Sequence, residues 1–521
     1  SLRALGELND NVEIKSSFWL DNAALVEINT SEVSLQDLAR IDGVVELHPN
    51  YEIDRIDPTV TPGNEIADGE PYTYGVEQVN APEFWEAFDT RGENASIAIV
   101  DTGINPDHEA FPDYNESNWA QFDFDGNEID SEPFDDNGHG THVAGTAAGG
   151  NASGTAIGVA PEAELYSINV FPNPGGGTTL AAIVAGMEHA VEEDIDVANF
   201  SLGGGGFASI YVDVIENALE AGTLIVSSSG NSGPNSTGTP GNVYDSVSAG
   251  ATNVDEVVTS FSTGDEVDTD EDWGAVAPSD WPAEYSTPDV TAPGATVLSA
   301  DLENGQPVND AYGTKSGTSM AAPHVTGVVA LMISAFDTEP ETVSDTLEST
   351  AQKPAPDAID LGVLSDASAV SADQVENLHF DDISDARYGE GIVDAYAAGL
   401  ALADNRTISG TVVDSEGNPI TDATGVTSIE DANFSTGTLP DGSGPTVTTD
   451  GGLQSTYAID GSFSFDVQAG SYDLTVGEAF GYQNETVTVN ATDGDETGET
   501  ITLNEQFNIR LAADQPAEVV A

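Results

Sequence analysis

Three residues of this 521-residue chain stand in local settings that suit nucleophilic hydrolysis. Asp101 ends the apolar run S-I-A-I-V-D-T-G (96–103). His139 lies in N-G-H-G-T-H-V-A-G-T (137–146), and Ser319 in G-T-S-M-A-A-P-H (317–324). A serine hydroxyl is a poor nucleophile at neutral pH. It needs an imidazole to take its proton and a carboxylate to fix that imidazole's tautomer. The order Asp, His, Ser differs from the two other chain orders in which such triads occur, Ser…Asp/Glu…His and His…Asp…Ser. Each residue alone has a blander reading: Asp101 as a strand-ending turn, Ser319 as a helix N-cap. The strings around them are more specific than that. His142 follows His139 by three residues and is a conceivable co-ligand for a metal. The chain has no H-E-x-x-H pattern and no cysteine, so a zinc site is not expected.

These side chains need elements to position them. Residues 96–101, 163–171, 196–202 and 223–229 are β-rich apolar runs, and 178–193 and 210–221 have helical spacing between them. That alternation predicts an α/β domain, a parallel sheet with helices on both faces. Residues 318–335 predict a long apolar helix with Ser319 at its N-terminus, where unpaired N–H groups and the helix dipole favour a developing oxyanion. The predicted domain spans 73–403. Before it, 1–56 reads as a small α+β unit, with strands over 12–20 and 24–29 joined at Asp21-Asn22, a helix over 34–41 and a strand over 44–48. Residues 57–72, with three Pro and two Gly, read as an exposed linker. Alternating runs at 408–413, 462–467, 472–476 and 485–490 predict a C-terminal antiparallel β-sandwich over 404–512, followed by a tail at 513–521.

The three motifs, in this order, resemble those of the subtilisin-like serine proteases (subtilases), with the likeness running over about 74–402. The charge resembles that of the secreted, halolysin-like proteases of extreme halophiles. The resemblance implies a three-layer subtilisin-like catalytic domain and a secreted, monomeric serine endopeptidase working through an acyl-enzyme. It makes Ser319 the nucleophile, His139 the base, Asp101 the residue that orients the base, and His142 and His324 structural. Asn231, in T-L-I-V-S-S-S-G-N-S-G-P, then supplies a side-chain amide to the oxyanion beside the Ser319 N–H. Substrate peptides are expected to lie extended along Ser201, Leu202 and Gly203 and along Gly175 and Gly176. Gly238 is expected at the floor of a roomy apolar specificity pocket. The run V-V-E-L-H-P-N-Y-E-I (44–53) resembles the end of a subtilase propeptide, an intramolecular inhibitor, with cleavage expected near Ile56. The C-terminal strands resemble carboxypeptidase-regulatory (transthyretin-like) modules. Calcium is the expected structural ion, because hard carboxylate oxygens suit it. Its candidate ligands are Asp123, Asp125 and Asn127 in the acidic run 122–138, which reads equally well as a solvated loop. No redox or nucleotide cofactor is expected. An esterase with the same triad, and a binding protein on a protease scaffold, stay open at this point.

Composition sets further bounds. Asp and Glu number 92 against 10 Lys and Arg, a formal net charge of -82, and no Lys or Arg occurs between Arg91 and Lys315. Such a surface repels nucleic acid, so that partner class is not expected. Without cysteine there is no disulfide framework. No run of 18 or more apolar residues occurs, so no membrane span is expected. A secretory signal ahead of Ser1 is expected. Self-repulsion of this size destabilises a compact state unless it is screened, and the Debye length falls from about 10 Å at 0.1 M salt to about 3 Å at 1 M. Folding and activity are therefore predicted to need molar salt. Dialysis into dilute buffer should abolish hydrolysis and far-UV ellipticity together, and full activity after dialysis would refute the expectation.

Overall fold

The structure is a computed structural model. It describes residues 11–41, 44–53, 59–61, 71–173, 176–279, 281–303, 305–336, 338–353, 386–403 and 406–413, together with C-terminal strands within 446–502. The chain divides into two compact units, Ser1–Ala401 and Leu402–Ala521.

The first unit is built on a seven-stranded sheet. In chain order its strands are β1 (Ser96–Asp101), β2 (Trp119–Gln121), β3 (Glu164–Asn169), β4 (Val197–Phe200), β5 (Leu224–Ser228), β6 (Val247–Thr252) and β7 (Val290–Pro293). Across the sheet they run β7-β6-β5-β4-β1-β3-β2, and every pairing is parallel. Parallel strands are covered on both faces and so read as near-continuous apolar runs. In β1, Ile97, Ala98, Ile99 and Val100 are all fully buried. Ala98 and Val100 join the core formed with helices α2 (Leu180–Glu192) and α3 (Ile210–Glu220). Ile97 and Ile99 lie outside that cluster, as the strand's two-residue period requires. Helices α1 (His139–Ala148) and α4 (Thr318–Phe336) pack together and onto the sheet. The strand order reverses around β1, and in open parallel sheets the crevice at such a reversal, outside the carboxyl ends of the strands, is where ligands bind. Asp101 is the last residue of β1.

The predicted strands of this sheet and its predicted helices appear with ends within two residues of those expected. β2, β6 and β7 were not anticipated. They are short or rich in Ala, Gly, Ser and Thr, which blurs an apolar run. α4 has the length and composition of a membrane span, contrary to the expectation that no segment would, but it is the buried core helix of the domain.

In the N-terminal segment, Val12–Phe18 and Ala23–Ile28 form the expected antiparallel hairpin. The expected helix is a single turn, Leu35–Leu38, closed by a Ser34/Asp37 capping box. The expected strand over 44–48 is absent. Strand pairing starts later, at Glu52–Ile53 against Thr178–Thr179. Within the expected linker, Thr59–Thr61 adds an antiparallel strand to Tyr312–Ser316.

Among the described residues the second unit has seven strands in two sheets, including all four runs expected from sequence. One pairing departs from an antiparallel scheme: Arg406–Val413 runs parallel to Glu496–Thr502.

The hairpin tip is held to α2 and α3 by hydrogen bonds. Leu20 N–H donates to Glu188 at 2.7 Å, the Trp19 indole donates to Glu192 at 2.8 Å, and Asn217 donates to the Leu20 carbonyl at 2.8 Å. Next to them Asp21 is pushed up to about 6, first by burial and then by the like charges of Asp213, Glu46 and Glu188. Glu188 is also raised, mainly by burial. A carboxyl group whose pKa is higher when docked than when free takes up a proton on docking. Docking is then favoured as pH falls through 6 toward the free value near 3.8. With Ser319→Ala protein in molar salt, amide protection over residues 12–28, measured relative to the unstructured exchange rate at each pH, should rise between pH 7 and pH 5. Lower protection at the lower pH would contradict this.

Candidate active site

The site begins with a backbone contact. β1 ends at Asp101 and turns through Thr102-Gly103, and the first turn of α1 lies directly against that turn. A Cβ on Gly140 would sit 2.2 Å from the Gly103 carbonyl oxygen, and Gly103 itself has φ +111°. Only glycine permits both the left-handed backbone and so close an approach. Asp135 ties the junction together. Its buried carboxylate accepts five hydrogen bonds: from the Thr102 hydroxyl, the N–H groups of Asn137, Gly138 and Thr141, and the Thr141 hydroxyl. An acidic group at a helix N-terminus satisfies donors that have no partner within the helix.

That junction brings the two expected side chains together. His139 Nδ1 lies 2.8 Å and 3.0 Å from the two Asp101 carboxylate oxygens, and both residues are buried. Thr102 N–H also donates to Asp101, at 2.7 Å. An ionised carboxylate accepts only, so this geometry puts a proton on Nδ1 and leaves Nε2 as the proton acceptor. Nε2 is buried and has no hydrogen-bond partner.

Ser319 sits in the first turn of α4, and Pro323 explains its setting. Proline has no N–H, so the Ser319 carbonyl four residues earlier lacks its intrahelical partner. The Ser201 hydroxyl donates to it instead at 2.9 Å, and the Ser319 hydroxyl donates to the Ser201 carbonyl at 3.2 Å. Asn199 secures Ser201 in turn, at 3.0 Å. His139, Ser319 and Asn231 line one cleft. The Ser319 hydroxyl proton is therefore engaged by the Ser201 carbonyl, while His139 Nε2 in the same cleft is vacant. Catalytic hydrogen bonds of this kind commonly form only once substrate is bound.

Asn231 is oriented by Thr318, whose N–H and hydroxyl donate to Asn231 Oδ1 at 2.9 Å and 3.1 Å. With its oxygen occupied, the side chain has its NH2 group left as a donor in the cleft. The Ser319 N–H, within the first helical turn, has no carbonyl in α4 to bond. Two donors of this kind beside a nucleophile can hold an oxyanion.

Of the expected peptide-binding residues, Ser201, Leu202, Gly203 and Gly238 line this cleft. Gly176 lies in a turn with its N–H on the Asn173 carbonyl, and Gly175 lies outside the described residues. Gly204–Gly205 pairs antiparallel with Gly238–Thr239, which joins two walls of the pocket. The lining also carries Ser228, Ser232, Thr237 and Thr263.

The other histidines are structural, as expected. His142 Nε2 faces the Val297 and Gly313 carbonyls, and burial, with Lys315 and His139 adding to it, holds its pKa well below the ordinary range. His324 binds the Met320 carbonyl, and burial pushes it down to about 4. Of the expected calcium ligands, Asp123 accepts from the N–H groups of Asp125 and Asn127 and from the Asn127 amide. No group of three or more His, Cys, Asp or Glu side chains among the described residues is placed to hold a metal. Asp135, Thr318 and the Ser201–Pro323 arrangement were not singled out from sequence. The acid at 135, four residues before His139, was the one available signal.

A three-layer parallel-sheet domain with an Asp–His pair and a serine at a helix N-terminus defines a serine hydrolase. Residues 92–391 match the model of the subtilase family, and the chain belongs to that family. It is 36% identical over 297 residues to subtilisin E of Bacillus subtilis, covering 55% of this chain and 68% of that protein. It is 36% identical over 287 residues to subtilisin of Bacillus pumilus, covering 53% and 90%. It is 33% identical over 288 residues to the major intracellular serine protease of Bacillus subtilis, covering 54% and 81%. This is a serine endopeptidase of subtilisin type.

Replacing Asn231 with Ala removes one oxyanion donor, a change that costs such sites about 10²–10³ in kcat. Steady-state kinetics on a peptide substrate should show that loss with KM within about threefold of wild type. An unchanged kcat would remove Asn231 from the site.

Proposed function

We propose that Ser319, His139, Asp101 and Asn231 hydrolyse peptide bonds in a secreted, salt-requiring enzyme that is made latent by its own N-terminal segment. The carrying observation is the buried Asp101–His139 hydrogen bond, with Ser319 and Asn231 in the same cleft. Ser319 attacks the peptide carbonyl as His139 Nε2 takes its proton. The Asn231 amide and the Ser319 N–H receive the oxyanion. His139 passes its proton to the leaving amine, Asp101 steadies the imidazolium, and water then releases the acyl-enzyme by the same route. The groove favours peptides over simple esters because strand edges flank it and extended peptides bind by adding to such edges. Family membership supports a structural calcium.

Two strand pairings support latency. Glu52–Ile53 pairs with Thr178–Thr179, and Ile53 lines the cleft beside His139 and Ser319. Thr59–Thr61 pairs with Tyr312–Ser316, the strand that leads into Ser319. A segment held on both sides of a nucleophile is positioned as a substrate, and the bond to be cut then falls between Ile53 and Thr59, in agreement with processing near Ile56. In molar salt, wild-type protein should cleave casein and begin at a residue between 54 and 59 by N-terminal sequencing. Ser319→Ala should be folded, inert and unprocessed. A processed Ser319→Ala protein would assign the cut to another protease, and a mature start outside that window would rule out this latching.

A further inference from the structure

Lys315 is an anomaly in this chain. It is one of only ten basic residues, it is 5% exposed, and it lies four residues before Ser319. Burying an ammonium group is costly unless it is paired and hydrogen-bonded. Here it is both. It forms an ion pair with Asp301 and donates to the Gly138 carbonyl at 3.0 Å, one residue ahead of His139. Asp301 is fixed in turn by the Leu302 N–H at 2.8 Å. Gly138 is in the left-handed region at φ +88°, and a Cβ there would meet Asp301 at 2.7 Å, so backbone, carboxylate and ammonium form one packed unit immediately ahead of His139 in the chain.

We propose that Lys315 is a positioning residue for the catalytic base: with Asp301 it fixes the Gly138 peptide and supplies the positive potential in which His139 exchanges its proton. The inference rests on the triad reading above. The charged and titratable groups facing this ammonium are Asp301 from the segment after 297–300, Asp135 from the loop before α1, Asp101 from β1, and His142 from α1, which also feels His139. His108, hydrogen-bonded to the Ala311 carbonyl, also feels Asp301 and is held low by burial. Burial pushes the Lys315 pKa down, and the attraction of Asp301, Asp135 and Asp101 opposes that. A chain of net charge -82 imposes a negative potential that favours imidazolium, the form that cannot act as base. A nearby buried cation offsets it, and unlike surface charge it is little screened by salt.

The test is the pH dependence of kcat/KM on a chromogenic peptide in molar salt, for wild type, Lys315→Met, Lys315→Arg and Asp301→Asn. Removing the cation favours imidazolium, so the acid limb of Lys315→Met should move up by about one pH unit. Removing the carboxylate does the reverse, so the acid limb of Asp301→Asn should move down. Lys315→Arg should keep the wild-type limb. If Lys315→Met does not fold, as judged by circular dichroism, the opposite shift of Asp301→Asn decides. A folded Lys315→Met with the wild-type limb, or shifts of the same sign in both variants, would overturn the proposal. Activity surviving in Ser319→Ala would instead overturn the triad reading beneath it, so the two failures are distinguishable.

Discussion

The whole site depends on one close approach, that of the turn after β1 to the first turn of α1. With no side chain at Gly140 and a left-handed Gly103, two backbones lie near van der Waals contact. Asp101 and His139, 38 positions apart, are then within hydrogen-bonding reach. Asp135 makes the junction rigid by accepting from both of its sides. The acid's own contribution is geometric and electrostatic at once. It completes the helix end, and it holds Thr102 so that the neighbouring Asp101 has a single orientation. A triad built on the end of a central strand and the starts of two packed helices inherits the rigidity of the core beneath it.

The nucleophile is placed by a different device. Pro323 removes one hydrogen bond from α4, and the vacancy is filled from outside the helix by Ser201. One missing N–H therefore couples the catalytic serine to the peptide-binding segment 201–203. The same exchange engages the Ser319 hydroxyl while no substrate competes for it. Asn231 follows the same principle. Its carbonyl oxygen is saturated by Thr318, and the donor end is thereby selected without any direct constraint on the NH2 group.

Much of this was legible in the sequence. The apolar runs that became β1, β3, β4 and β5 announced themselves because strands covered on both faces are largely apolar. The three motifs carried their own local geometry: strand end, helix start, helix start. What was not legible is equally physical. β6 (V-S-A-G-A-T) is strand because its neighbours pair with it, and small residues give no periodic signal of their own. Residues 44–48 looked like strand by composition, yet a strand needs a partner edge, and the edge available at Thr178–Thr179 meets the chain further on. Asp123 looked like a metal ligand by type. Its loop folds back on it with N–H groups, an outcome that composition does not encode.

Asp135 carries one more consequence. No salt bridge involving it is among those of the described residues, and its charge is met by amide and hydroxyl dipoles bonded into the fold. Asp196 is met in the same way by the Ser96 amide and hydroxyl. Bound dipoles have no counter-ion cloud to exchange with the solvent. A protein that solvates interior carboxylates with its own peptide and hydroxyl groups keeps them aligned by the fold itself, without help from the ions around it.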